Sequence, residues 1–270
     1  MPRARCHWLL LVQTGEALQA ARPVAFEVVS THRGEFFAGG VAPDALRLFG
    51  GHDKPSTHFY DDQRRDTWGH VVATLCAAHP SMADPRRHER ATHAWMLGYL
   101  THVMTDIAYW RHVLALLPPF PEQAAAHYGA WMVADQVLIP LEEQRLDVAA
   151  LRFDAAPPWV AAEPVRRMLD RLTGGILAAT DPTAVELAYW RNRPESQGQT
   201  DAQLLAERGA AWESSLAQAR ALLPDSTWRA FRDDALEGAV QAIADYLASG
   251  ATAGRAAPSD PSPGGATPAP

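Results

Sequence analysis

The chain has 270 residues and a formal net charge of −7, with 24 Lys and Arg against 31 Asp and Glu. That length can bury a full core in one or two domains, and one is expected here. The acidic balance argues against nucleic-acid binding, because affinity for a phosphate backbone comes from clustered Lys and Arg, whereas lysine is almost absent here and the arginines are scattered.

In chain order, Arg3 and Arg5 precede a short apolar run from Trp8 to Val12 that Gln13, Thr14, Gly15 and Glu16 end. The run falls short of a secretory h-region of about 7 to 15 apolar residues. No stretch approaches the roughly 20 apolar residues of a membrane span, so a cytoplasmic protein without an integral membrane segment is expected. Cys6 and Cys76 form neither a C-x-x-C pair nor a disulfide framework and read as buried free thiols.

Residues 6–20 are predicted helical. Residues 30–61 read as a loop-rich stretch, punctuated by Gly34, Gly39, Gly40, Pro43, Gly50, Gly51 and Pro55 and holding Asp44, His52 and His58. Trp68, Val71, Val72, Leu75 and Cys76 recur at helical spacing and predict a helix over 62–79. The longest predicted helix covers 86–117, where Trp95, Leu97, Leu100, Val103, Met104 and Ile107 wrap much of the surface; Pro118 and Pro119 stop it. Further helices are predicted over 122–145, 163–179, 183–191, 201–222 and 226–248, with Thr200 and Ser226 as N-caps of the last two. The tryptophans of this half, Trp159, Trp190, Trp212 and Trp228, read as core. No period-two strand stands out. The expected fold class is therefore all-α: one multi-helix domain over 1–250 and a disordered Pro/Gly/Ala-rich tail over 251–270.

All eleven histidines lie between His7 and His127. On an ideal helix Asp106 lies roughly 40° from His102 and one turn away, so the two can share one metal. His112 lies about 80° to the other side and some 15 Å along the axis, where it would serve a neighbouring metal. A His-x-x-x-Asp pair is often only a surface hydrogen bond, as expected for Asp66 and His70. His102 and Asp106 differ because a mostly apolar helix carries ionisable groups inward only where something compensates them, and metal ligation is one such compensation.

Cys6-His7-Trp8, Phe37-Ala-Gly-Gly-Val-Ala-Pro-Asp44, Lys54-Pro-Ser-Thr-His58 and Leu97-Gly-Tyr-Leu-Thr-His102-Val-Met-Thr-Asp106, in this order, resemble the bacterial zinc-dependent phospholipase C family. The resemblance covers about residues 1–135. It implies an all-α fold, shared with single-strand-specific zinc nucleases, and a clustered zinc site. It implies that Asp44, His58, His102 and Asp106 hold a first zinc, and that Asp106 bridges to a second bound by His7 and the chain's amino terminus, a proline amine if Met1 is removed. It also implies a third zinc on His112 and His127. The family's acidic residue four positions after the second of these is Trp131 here, which leaves two readings: Asp135, a turn further on, approaches the site, or the third metal is missing.

The implied reaction is phosphate-ester hydrolysis by metal-activated hydroxide attack on phosphorus, with Asp44 orienting or deprotonating the water. The substrate would be a phospholipid or a small soluble phosphorylated metabolite. A rival from another enzyme class, an HD-type phosphohydrolase using His52-Asp53, is disfavoured because that pair sits in a turn. A ferritin-like di-iron protein is disfavoured because no Glu-x-x-His occurs. The non-enzymatic alternative is a helical protein in which zinc is structural or absent; a structural site would close all four metal positions with protein ligands.

Overall fold

The computed structural model describes residues 2–137, 152–191 and 193–253, and no strand occurs among them. The fold is all-α, with eleven α-helices among the described residues. Helix α6 (Arg90–His112) is the central element: residues Ala94 to Tyr109 are buried almost without interruption, as its apolar girth demands. Helix α3 (Arg33–Gly50) packs along one side of it and α11 (Asp225–Ala253) along another.

Helix α1 (Ala4–Ala21) separates two hydrophobic clusters. Trp8, Leu11 and Leu18 point into the larger, with Phe36, Phe37, Trp95 and Leu100. Cys6, Leu9 and Leu10 point into the other, with Tyr109, Val133, Trp228 and Phe231. Each fully buried leucine here contributes about 1.5–3 kcal/mol. Helix α2 (Pro23–Thr31) follows, with proline at its first turn. Helix α7 (Ala124–Val137) packs on α10 (Asp201–Leu222), where Thr200 and Gln203 form a reciprocal capping box. Trp190 and Trp212 pack with Met132 and Leu204 in a third, smaller cluster, so the C-terminal tryptophans serve as core.

Several sequence-based boundaries need correction. The loop-rich stretch is largely helix: residues 33–50 form α3, and Lys54–His58 form the short α4. The glycines that read as breakers serve close packing instead. A Cβ at Gly98 would lie 1.9 Å from the Phe36 carbonyl oxygen, and one at Gly39 equally close to the Trp95 carbonyl oxygen. The α3 and α6 backbones therefore touch where any larger residue would hold them apart. Pro43 sits inside α3, where it costs one helical hydrogen bond to Gly39 but does not end the helix.

The region 62–79 is a 3-10 turn over Arg65–His70 followed by α5 (Val71–Ala78). The 163–179 helix divides into α8 (Ala162–Arg171) and a π-turn, Leu172–Ile176, at the Gly174-Gly175 pair, where Gly175 has φ 157°. Helix α9 is Pro182–Arg191. Helix α11 begins at Asp225, which places Ser226 inside the first turn, and runs to Ala253. The expected helix over 138–145 and the expected disordered tail from 254 onward lie outside the described residues.

Candidate metal centre

Four helices deliver five buried ligand-type side chains to one point: His7 from α1, Asp44 from α3, His58 from α4, and His102 and Asp106 from α6. The close α3–α6 crossing brings Asp44 against the α6 pair. Donor atoms of His7, Asp44 and His102 lie within 4.8 Å of one another, as do those of His58, His102 and Asp106. Nε2 of His7 is 3.3 Å from Asp106 Oδ1, and Nε2 of His58 is 3.3 Å from Asp106 Oδ2 and 3.9 Å from Asp44 Oδ1. The His7 and His102 rings stack with centroids 3.8 Å apart.

The surroundings fix which nitrogen of two rings carries its proton. His102 Nδ1–H donates to the Gly40 carbonyl at 2.7 Å, which leaves the Nε2 lone pair facing the cluster. Thr57 gives its hydroxyl proton to the Asp53 or Lys54 carbonyl, so its oxygen accepts from His58 Nδ1–H at 2.9 Å and His58 Nε2 is likewise a bare lone pair. Tyr99 in turn donates to the Thr57 carbonyl. Burial, and then the neighbouring His7, hold His102 far below the usual imidazole range, so it is neutral. Burial pushes Asp106 upward, but the Lys54 ammonium, with the His58 and His7 rings beside it, outweighs burial and keeps the carboxylate ionised.

Six atoms at this point lack a hydrogen bond: both ring nitrogens of His7, Nε2 of His58 and of His102, and Oδ1 of Asp44 and of Asp106. An unsatisfied buried polar atom costs about 1–3 kcal/mol, so a cluster of six needs a compensating partner. Neutral imidazole nitrogens and carboxylate oxygens are the donor set that zinc takes, and the residues present fit such an ion.

The other sequence candidates belong to neither group of donor atoms. His112 Nε2 is 3.0 Å from Asp234 Oδ2, a carboxylate that also pairs with Arg111. His127 Nε2 is 2.7 Å from the Pro118 carbonyl. Asp135 is buried and accepts from the Cys6 backbone N–H at 3.1 Å, with Arg3 at 3.6 Å. Burial pushes its carboxyl up to about 7, a rise that Arg3 opposes and Glu186 reinforces. Asp53 caps α4 by accepting from the Ser56 N–H at 2.9 Å, a structural role for half of the His52-Asp53 pair. Asp66 pairs with Arg64 at the surface.

A family model described as zinc dependent phospholipase C matches residues 6–149, a span that contains every side chain of the cluster. The chain belongs to this family. No curated protein and no solved structure matches it in the corresponding comparisons.

Two groups at this phospholipase C-type centre were given no role by the sequence reading. Tyr60 donates to Asp106 Oδ2 at 3.3 Å. Lys54, the single lysine of the chain, sits 3.5 Å from the same oxygen and 2.6 Å from Asp62 Oδ1. That solitude was a usable signal. A cavity of about 430 Å³ opens beside the cluster, lined by Asp44 and Asp62 at this end and by residues of α8 and α9 further out. Among the described residues no helix is long and apolar enough to cross a membrane.

Proposed function

We propose that this chain is a zinc-dependent phosphoesterase that hydrolyses a phosphodiester. The observation that carries the reading is the set of six hydrogen-bond-deficient polar atoms on five ligand-type side chains, His7, Asp44, His58, His102 and Asp106, gathered in one buried place beside a cavity. Family membership supplies the reaction class. Zinc bound by these residues would lower the pKa of a water and neutralise phosphoryl oxygens.

The protein's own part is to prepare that setting. The Gly40 carbonyl and the Thr57 hydroxyl lock two imidazoles in the tautomer that presents Nε2. Asp106, ionised beside Lys54, would supply carboxylate oxygens to the ions. Asp44 is the one cluster side chain that also lines the cavity, so its carboxylate meets both the cluster and incoming solvent and is suited to orient a water or accept its proton. That opening favours a catalytic over a structural role, since a structural site leaves no approach for substrate. The substrate would be a phospholipid or a soluble phosphorylated metabolite. His112, His127 and Asp135 remain candidates for a third ion.

The test is metal content per chain on protein purified without chelator or nickel, followed by hydrolysis of bis(p-nitrophenyl) phosphate. Two or more zinc per chain in the wild type, lost in His102→Ala and in Asp106→Ala together with hydrolysis, is the expected result. Stoichiometric zinc unchanged by both substitutions would overturn the assignment.

A further inference from the structure

The cavity beside the metal cluster has a cationic wall that hydrolysis itself does not require. Arg47 lies one turn along α3 from Asp44, and Arg171 at the end of α8 and Arg193 beyond α9 line the same space, with Trp110, Trp131 and Tyr189 between them. The chain is acidic, and several of its arginines are held by a carboxylate: Arg3 by Glu186, Arg90 by Glu27, Arg111 by Asp234 and Arg191 by Asp201. Arg171 has no ion pair among the described residues, and its Nε is buried without a hydrogen bond. Its charged neighbours include two further guanidiniums, Arg193 and Arg167. Arg193 stacks over Trp190 at 4.1 Å, and among the described residues its one ion pair is with Glu195, at 3.5 Å.

Like charges gathered in a partly dry cavity are costly unless an anion joins them, and arginine forks match phosphate and carboxylate geometry. Both carboxylates that line the cavity, Asp44 and Asp62, lie at the cluster end, and Asp62 is already paired with Lys54. We propose that the substrate of this metal centre carries a second anionic group, a phosphate or a carboxylate, seated on Arg171 and Arg193 while its scissile phosphate faces Asp44. A cationic head group such as choline is the wrong charge for this wall. The inference rests on the phosphoesterase reading and names its substrate class.

The experiment is calorimetric titration of zinc-loaded protein with 3-phosphoglycerate, which carries a phosphate and a second anion, and with phosphocholine, which carries a phosphate and a cation. The wild type is expected to favour 3-phosphoglycerate by about tenfold or more, the scale of one charge-assisted hydrogen bond. Arg171→Gln and Arg193→Gln are each expected to erase most of that preference with zinc stoichiometry retained, and Arg171→Lys to keep part of it. Equal affinity for the two probes, no binding of either, or a preference untouched by both glutamine variants would overturn the proposal. Binding needs no turnover, so the two readings fail separately. Hydrolysis of a diester without the preference removes this inference alone, and the preference without hydrolysis removes the phosphoesterase alone. Displacement of 3-phosphoglycerate by vesicles containing phosphatidylinositol 4-phosphate assigns the anion to a lipid head group. Displacement only by the deacylated, soluble form assigns it to a soluble diester.

Discussion

His79 is a histidine outside the metal cluster whose environment sets a pH dependence of folding. Its ring stacks on Trp159 at 4.2 Å and meets Phe59 edge-on, and burial lowers its pKa from the ordinary value. The unfolded chain therefore takes up the proton first on acidification. The stabilisation is present above about pH 6.5 and is lost as pH falls through the lowered folded value. His79→Phe keeps an aromatic ring against Trp159 but cannot titrate. The difference in Tm between this variant and the wild type is expected to widen in the variant's favour between about pH 6.5 and 5, and a difference that stays flat would show that the ring titrates alike in both states. At this same scale, what was legible divides along the distance between residues in the chain. His102 and Asp106 share a face by helical arithmetic alone. Lys54 and Tyr60 reach Asp106 only because α4 is laid against α6, and nothing in their local sequence encodes that placement.

At the scale of elements, the α3–α6 crossing decides whether the ligands meet. Asp44 reaches His102, and Gly40 accepts from His102 Nδ1, because Gly39 and Gly98 let the two backbones touch. Gly98→Ala would drive a methyl into the Phe36 carbonyl, which no side-chain movement relieves. It is expected to cost about 1–3 kcal/mol and to weaken zinc binding, read by thermal unfolding and by competition with a chromogenic chelator. Gly15 in α1 has nothing within 4 Å of an added Cβ, so Gly15→Ala should instead stabilise by about 0.5–1 kcal/mol and leave zinc affinity unchanged. Equal behaviour of the two variants would mean that the crossing does not set the site. The same glycines explain why the stretch 30–61 read as loop. Composition cannot separate a glycine that frees the backbone from one that admits a neighbouring helix, and the second use depends on a partner more than fifty residues away. Thr200 was legible because its capping partner, Gln203, lies three residues on, whereas the Gly174-Gly175 pair marked a break that an apolar count alone ran through.

Across the whole molecule, the cluster ties α1 to α6 over about a hundred residues, while the C-terminal half supplies a wall of the cavity and, through α11, a brace along α6. A metal held by ligands so far apart in the chain cannot find its site in the unfolded protein, so binding free energy passes into folding free energy. Without it, six buried polar atoms around His7, Asp44, His58, His102 and Asp106 stay without hydrogen bonds. Free zinc at a hundredfold excess over its Kd should therefore stabilise by about 2.7 kcal/mol per ion. For a chain of this size that is a rise in Tm of roughly 5–10 °C over chelator-treated protein, larger if two ions bind together. His102→Ala and Asp106→Ala should unfold at the same temperature with and without zinc. Arg171→Gln should keep the full shift, because Arg171 lines the cavity and lies outside the cluster. A wild type whose Tm ignores zinc would place the ion, if it binds, where folding does not depend on it, and this cluster would then lose its role as the metal centre.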